Sequence, residues 1–154
     1  SNLAGSMFSH PNLEIVDLHG NRLSGPLPEV SIEVNTKLKF LALHENEFSG
    51  SISSSMSLLR SLEHLDLSKN MLSGSLPTEI GGMFNLQSVF VGENDFQNQE
   101  FPTDWTRLTD LRELSLTKMA LDGTIPNSIA YLSGLVYLDL SRNDLTGSLP
   151  DTIG

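Results

Sequence analysis

The stretch Leu62-Glu63-His64-Leu65-Asp66-Leu67-Ser68-Lys69-Asn70-Met71-Leu72-Ser73-Gly74-Ser75-Leu76-Pro77 decides the fold, because it recurs along the chain. Its frame is Leu62, Leu65, Leu67, Asn70, Leu72 and Gly74, and the same frame starts at Leu13, Leu38, Leu86, Leu111 and Leu135, always 24 or 25 residues apart. The L-x-L centre alternates apolar and polar, which predicts a short strand with its leucines turned inward. A strand every two dozen residues, always with the same inward pair, predicts coils stacked so that the strands form one parallel sheet about 4.8 Å apart.

The asparagine falls where the chain turns away from the strand. Buried turn groups without partners cost about 1–3 kcal/mol each. An Asn amide offers both donors and an acceptor, so one per coil predicts a ladder of side chains satisfying neighbouring backbone. Asn21, Asn46, Asn70, Asn94 and Asn143 fill it; Met119 interrupts it, which predicts a local rearrangement, or a bound water, at that coil. The runs Leu23–Pro28, Leu72–Pro77, Leu121–Pro126 and Leu145–Pro150 follow, with a glycine for a second bend and a proline opening the convex segment. There Ile80, Trp105, Ile129 and Ile153 are expected to pack inward from short helical turns.

These residues resemble the plant-specific leucine-rich repeat, L-x-x-L-x-L-x-x-N-x-L-x-G-x-I-P-x-x-[I/L]-G, over about residues 13–154; PTEIGGMFNL (77–86) and PNSIAYLSGL (126–135) match its convex part. The resemblance implies an α/β repeat fold: a right-handed superhelical solenoid with a parallel concave sheet and short 3-10 or irregular convex segments, in one domain, 1–154. Three departures stand out. Ser53 replaces the proline. The fourth repeat, Phe96-Gln-Asn-Gln-Glu-Phe101-Pro102, is one residue longer and lacks the glycine, which predicts a bulge. The convex stretch after the first frame, Pro28 to Lys37, is also one residue long. Leu3 to Met7 reads as the tail of an earlier repeat, and the chain stops in mid-repeat at Gly154. Without visible polar caps over terminal apolar layers, the expectation is a fragment of a longer protein.

Composition narrows function by exclusion. The 38% hydrophobic content suits thin layers, each buried by its neighbours. Nine Lys and Arg against nineteen Asp and Glu give a net charge of -10, which argues against nucleic acid and anionic membrane as partners. Cysteine is absent, so neither disulfides nor thiolate metal sites are available, and no apolar run reads as a signal peptide or membrane span. There is no G-x-S-x-G, Walker loop or H-E-x-x-H, and acid pairs such as Glu45 and Glu93 fall on non-adjacent coils, so no catalytic site is expected. Nor is any cofactor or metal.

Residues between the strand leucines should face the concave side. They form three columns: Ile15, Phe40, His64, Ser88, Glu113, Tyr137; then Asp17, Ala42, Asp66, Phe90, Ser115, Asp139; then His19, His44, Ser68, Gly92, Thr117, Ser141. Ile15, Phe40, Phe90 and Tyr137 are expected to be solvent-facing apolar anchors, because exposed aromatics are enriched at binding hot spots. Asp17, Asp66 and Asp139 follow a D-L recurrence and would suit a basic partner, or else form only a solvated acidic face. His19 and His44 fall in register, with His64 in another column; two imidazoles make a poor metal site and could sense pH, but exposed polar histidines are the plainer expectation. Trp105 reads as core.

The resemblance also implies function. In this family the concave face usually binds the ligand and the proteins are usually extracellular, among them receptor-like kinase ectodomains, receptor-like proteins and polygalacturonase-inhibiting proteins. The expected work is therefore non-catalytic recognition of a protein or peptide, with carbohydrate as a further ligand class, on the outer region of a membrane-anchored receptor-like protein, without membrane contact in this segment. A secreted inhibitor of a cell-wall-degrading enzyme and an adhesive scaffold are the alternatives.

Overall fold

The computed structural model describes residues 8, 10–31 and 37–151. Six three-residue strands, Ile15–Asp17, Phe40–Ala42, His64–Asp66, Ser88–Phe90, Glu113–Ser115 and Tyr137–Asp139, pair in that order as one parallel sheet. The register matches frame to frame: Val16, Leu41, Leu65, Val89, Leu114 and Leu138 stand side by side. The four inner ones are fully buried, and Leu43, Leu67, Val91 and Leu116 lie fully buried beside them. Opposite, 3-10 turns at Ser54–Leu58, Thr78–Gly82, Thr103–Arg107 and Asn127–Tyr131 close the second to fifth coils. They drive Met56, Ile80, Trp105 and Ile129 into the interior, and the Trp105 indole N–H donates to the Pro77 carbonyl at 3.0 Å. Ile153 and the segment Leu3–Met7 lie outside the described residues.

The asparagine ladder is built as the turn chemistry requires. Asn70 Nδ2 donates to the carbonyls of Leu43, Leu67 and Ser68, while its Oδ1 accepts from the Phe48 N–H one coil back. Asn46, Asn94 and Asn143 repeat the pattern. At Met119 the expected rearrangement is found: the thioether is fully buried, Ala120 takes φ 50°, and Asn143 Oδ1 accepts from both Met119 and Leu121 N–H groups. The residue before each ladder position (Glu45, Lys69, Glu93, Lys118, Arg142) also has a positive φ, between 52° and 57°. That conformation is disfavoured for side-chain-bearing residues, and the ladder's hydrogen bonds hold it.

The glycine bend becomes more than a bend. Ser24–Pro26, Glu47–Gly50, Met71–Gly74 and Asp95–Phe96 form a second parallel sheet, which the sequence reading did not include. Gly74, at φ 81°, turns the chain so that its backbone can pair with the next coil. The extra residue of the fourth repeat interrupts this sheet, as the expected bulge should. After Phe96 pairing lapses and resumes three residues later, where Gln99–Glu100 pairs with Leu121–Asp122. Ser53 replaces proline by capping: its hydroxyl accepts from Ser55 N–H and donates to Glu29, which Ser55 Oγ also contacts at 2.7 Å. Those two hydroxyls hold the Glu29 carboxyl below its ordinary range.

The outer coils correct one expectation. Leu18 and Leu23, placed inward by the frame, are 37% and 39% exposed, and Asn21 serves only its own turn through Leu18 and His19 carbonyls. Among the described residues the strand Ile15–Asp17 pairs on one side only, with Phe40–Ala42, so the leucine layer and the ladder are incomplete there. Phe8, which the frame did not include, is buried against the first layer.

Candidate functional site

The concave columns stand in the register that the alternation requires. Ile15 is opposite Phe40, which is opposite His64; Asp17 is opposite Ala42, then Asp66, then Phe90, Ser115 and Asp139. Of the candidate residues the face unites eight on the first four coils and leaves Tyr137 and Asp139 apart on the sixth.

The first grouping is aromatic. The His64 ring stacks on Phe40, with centroids 4.3 Å apart and planes 5° apart, and leans on Phe90 at 5.7 Å and 46°. The two phenylalanines are therefore half-buried by the imidazole instead of standing free as anchors, which corrects the expectation of fully solvent-facing rings. Burial lowers the His64 pKa below the usual 6.5, so this ring is neutral at neutral pH and behaves as a third aromatic. Ile15, 65% exposed, continues the band. Beside it Ala42, in register between Asp17 and Asp66, is covered at 1% exposure.

The second grouping is ionic. His19 and His44 stack at 4.6 Å with planes 7° apart. They are therefore more than scattered polar histidines. His19 Nδ1 lies 2.6 Å from Asp17 Oδ1, and His44 Nδ1 stands 3.1 Å from Asp66 Oδ2, close enough for an ion pair but outside hydrogen-bonding direction. Hydrogen bonding to Asp17 raises the His19 pKa, and the same bond lowers that of Asp17. Asp66 Oδ1 accepts from Ser68 N–H and Oγ–H, as Asp139 accepts from Ser141 N–H and from the Tyr137 hydroxyl at 3.2 Å. The recurrent aspartates thus brace the turn two residues on, and their charge is left directed at the concave side. Asp139 is held below the ordinary carboxyl value chiefly by the Ser141 N–H, and Asp139 in turn raises the Tyr137 phenol. Glu45 turns to the flank and pairs with Lys69 Nζ at 2.7 Å. Among the described residues no group of three His, Cys, Asp or Glu is placed to hold a metal ion, and no helix is long and apolar enough to cross a membrane.

Between the aromatic band and Tyr137 lies a feature that sequence reasoning missed. Gly92 sits where a Cβ would come within 2.6 Å of the Thr117 carbonyl oxygen, so only glycine fits there. Beside it a depression of about 300 Å³ lies among Phe90, Ser115, Thr117, Asp139 and Ser141. The signal available in the sequence was a glycine in a column otherwise polar. A hollow of about 630 Å³ on the convex side, where Arg107 lies 5.8 Å over Phe84, is the space between successive 3-10 turns.

Stacked 24- and 25-residue coils, two parallel sheets, an asparagine ladder and an open, polar concave face define a non-globular recognition scaffold. The Leucine Rich Repeat family model matches residues 12–31, 61–83 and 134–154. Receptor-like protein 31 of Arabidopsis thaliana is 44% identical over 66 residues, covering 40% of this chain and 8% of that protein. The leucine-rich repeat ectodomain of the Arabidopsis receptor kinase HAESA, solved with a peptide hormone ligand, superposes with a TM-score of 0.83 at 38% identity, over 86% of this chain and 22% of that one. The BIR2 ectodomain from Arabidopsis thaliana superposes at 0.74 and 30% identity, over 85% of this chain and 68% of that one. The chain belongs to the plant-type leucine-rich repeat family, and it spans about a tenth to a fifth of the first two of these relatives.

Proposed function

We propose that this chain is a non-catalytic ligand-recognition segment from the extracellular region of a plant cell-surface receptor-like protein, and that it engages a peptide or protein along its concave face. The observation that carries this is the band Ile15–Phe40–His64–Phe90, a continuous run of apolar and aromatic groups crossing four coils of the sheet. Such a band supplies desolvated anchors, while the His19–Asp17 and His44–Asp66 pairs beside it supply charge for selectivity. Relatives of matching architecture support the choice: one is a receptor-like protein, and one binds a peptide hormone.

The test is selection of a displayed peptide library on the chain, followed by amide NMR mapping of the enriched peptides. Peptides that shift the amides around Phe40, His64 and Phe90, and that bind the Phe40→Ser/Phe90→Ser double variant about tenfold or more weakly, support the reading. Peptides that map to the convex turns and ignore both substitutions overturn it. Fluorescent tagging of the full-length gene product at the surface of plant cells checks the extracellular assignment; retention in the cytosol sinks it.

A further inference from the structure

The Gly92 depression is chemically unlike the aromatic band. One wall is a half-buried phenylalanine ring, Phe90. The floor and far wall are hydroxyls and a fixed carboxylate. Ser115 Oγ and Thr117 Oγ1 share a hydrogen bond at 3.0 Å, and Asp139 is held ionised by the Ser141 N–H with help from the Ser141 and Thr117 hydroxyls. These groups have spent their own protons on one another, so what they present to a visitor is mainly lone pairs. Charge at the rim is mixed, Glu93 opposite Arg142, and neither makes an ion pair with a described residue.

Three ligand classes can be weighed against this lining. An anion meets Glu93 and Asp139. An apolar group would strip water from hydroxyls and a carboxylate without replacing their hydrogen bonds, which is unfavourable. A neutral ring bearing several hydroxyls fits both parts. Its O–H groups donate to the waiting acceptors and accept from Arg142, and its C–H face lies on the negative face of Phe90. The volume, at the lower end of the range for small-ligand sites, suits one or two such rings.

We infer that the depression bounded by Phe90, Ser115, Thr117 and Asp139 is a subsite for a neutral sugar ring, adjoining at Phe90 the aromatic band proposed to take the peptide. The sugar comes either as a free saccharide or as a glycan carried on a protein or peptide ligand. The ring stacks on Phe90, and its hydroxyls are read by Asp139 and the paired hydroxyls. The glycine at the edge of the site is there for packing: the neighbouring coil's backbone forbids a side chain at 92.

The test uses the full 154-residue chain, labelled with nitrogen-15. One arm titrates methyl glycosides of glucose, galactose, mannose, xylose, arabinose and N-acetylglucosamine up to about 50 mM, a range that detects millimolar dissociation constants. The other compares a serine-linked glycopeptide with the same peptide lacking its sugar. Shifts of the Gly92, Ser115 and Thr117 amides with at least one methyl glycoside, or with the glycopeptide alone, are expected. Thr117→Val and Asp139→Asn should each weaken binding about tenfold while peptide shifts at Phe40 and His64 persist. No sugar-dependent shift in either arm, or equal shifts from the bare peptide, overturns the inference. Loss of peptide shifts at Phe40 and His64 with the sugar response intact instead counts against the concave peptide reading. Unchanged melting temperatures for the two variants separate lost binding from lost folding.

Discussion

At the scale of single residues, one side chain per coil does the work that a hydrogen-bonded helix does elsewhere. Asn70 satisfies three carbonyls and one N–H across two coils in a buried turn. Asn70→Ala removes one donor from each of three carbonyls, which keep the Asn46 amide, the Asn94 amide and the Glu45 N–H, and strands the buried Phe48 N–H at about 1–3 kcal/mol; a urea titration should show the midpoint falling, and an unchanged midpoint would mean that water replaces the amide without penalty. The histidines give a separate, pH-dependent readout. His19 has a raised pKa, so its contribution is complete below the unfolded value of 6.5 and disappears as pH rises through the folded one. His64 has a lowered pKa, so between 6.5 and its folded value the unfolded chain binds the extra proton and stability falls as pH falls. Imidazole proton resonances followed against pH should therefore titrate above 6.5 for His19 and below it for His64. The reverse order would refute the ring environments described above.

At the scale of elements, each coil is a strand, a ladder turn, a second strand and a 3-10 turn, and none of these is stable alone. A three-residue strand has backbone partners only in adjacent coils, so its side chain must lock the layer. Leu65, fully buried in the middle strand, shows this: Leu65→Ala should cost roughly 2–5 kcal/mol through lost contacts and a cavity, measured by thermal or chemical melt. Trp105 is the convex counterpart. Trp105→Ala should cost about 3–5 kcal/mol, because it empties the largest buried site and removes the indole hydrogen bond to the Pro77 carbonyl, which keeps only the Ile80 N–H. A loss below about 1 kcal/mol would indicate that the neighbouring turns collapse into the space. The fourth repeat shows how an element tolerates irregularity: its extra residue breaks only the second sheet, while the first keeps register through Val89 and Leu114.

At the scale of the whole molecule, a solenoid has no closed core, and its recognition surface is the product of neighbouring coils. Phe40→Ser and Phe90→Ser therefore change what the molecule offers a partner without opening a cavity. The expected outcome is cooperative unfolding within about 0.5–1 kcal/mol of the parent, alongside weakened binding of any selected peptide. A collapse of cooperative unfolding would show the aromatic band to be structural. The first coil, with Leu18 and Leu23 exposed, should exchange its amide protons faster than the buried middle coils, since less apolar surface holds it.

The period alone was enough to determine coil length, strand position, the inward leucines, the ladder and which residues share a column, because these depend on local alternation and on identical coils stacking in register. The backbone pairing that includes Gly25, Gly50 and Gly74 was not legible, since hydrogen bonding between coils leaves no side-chain signature. Neither was the meeting of side chains across a column. His64 between two phenylalanines, His19 stacked on His44 and the hollow over Gly92 depend on rotamers and distances between residues some two dozen positions apart, and only packing sets those.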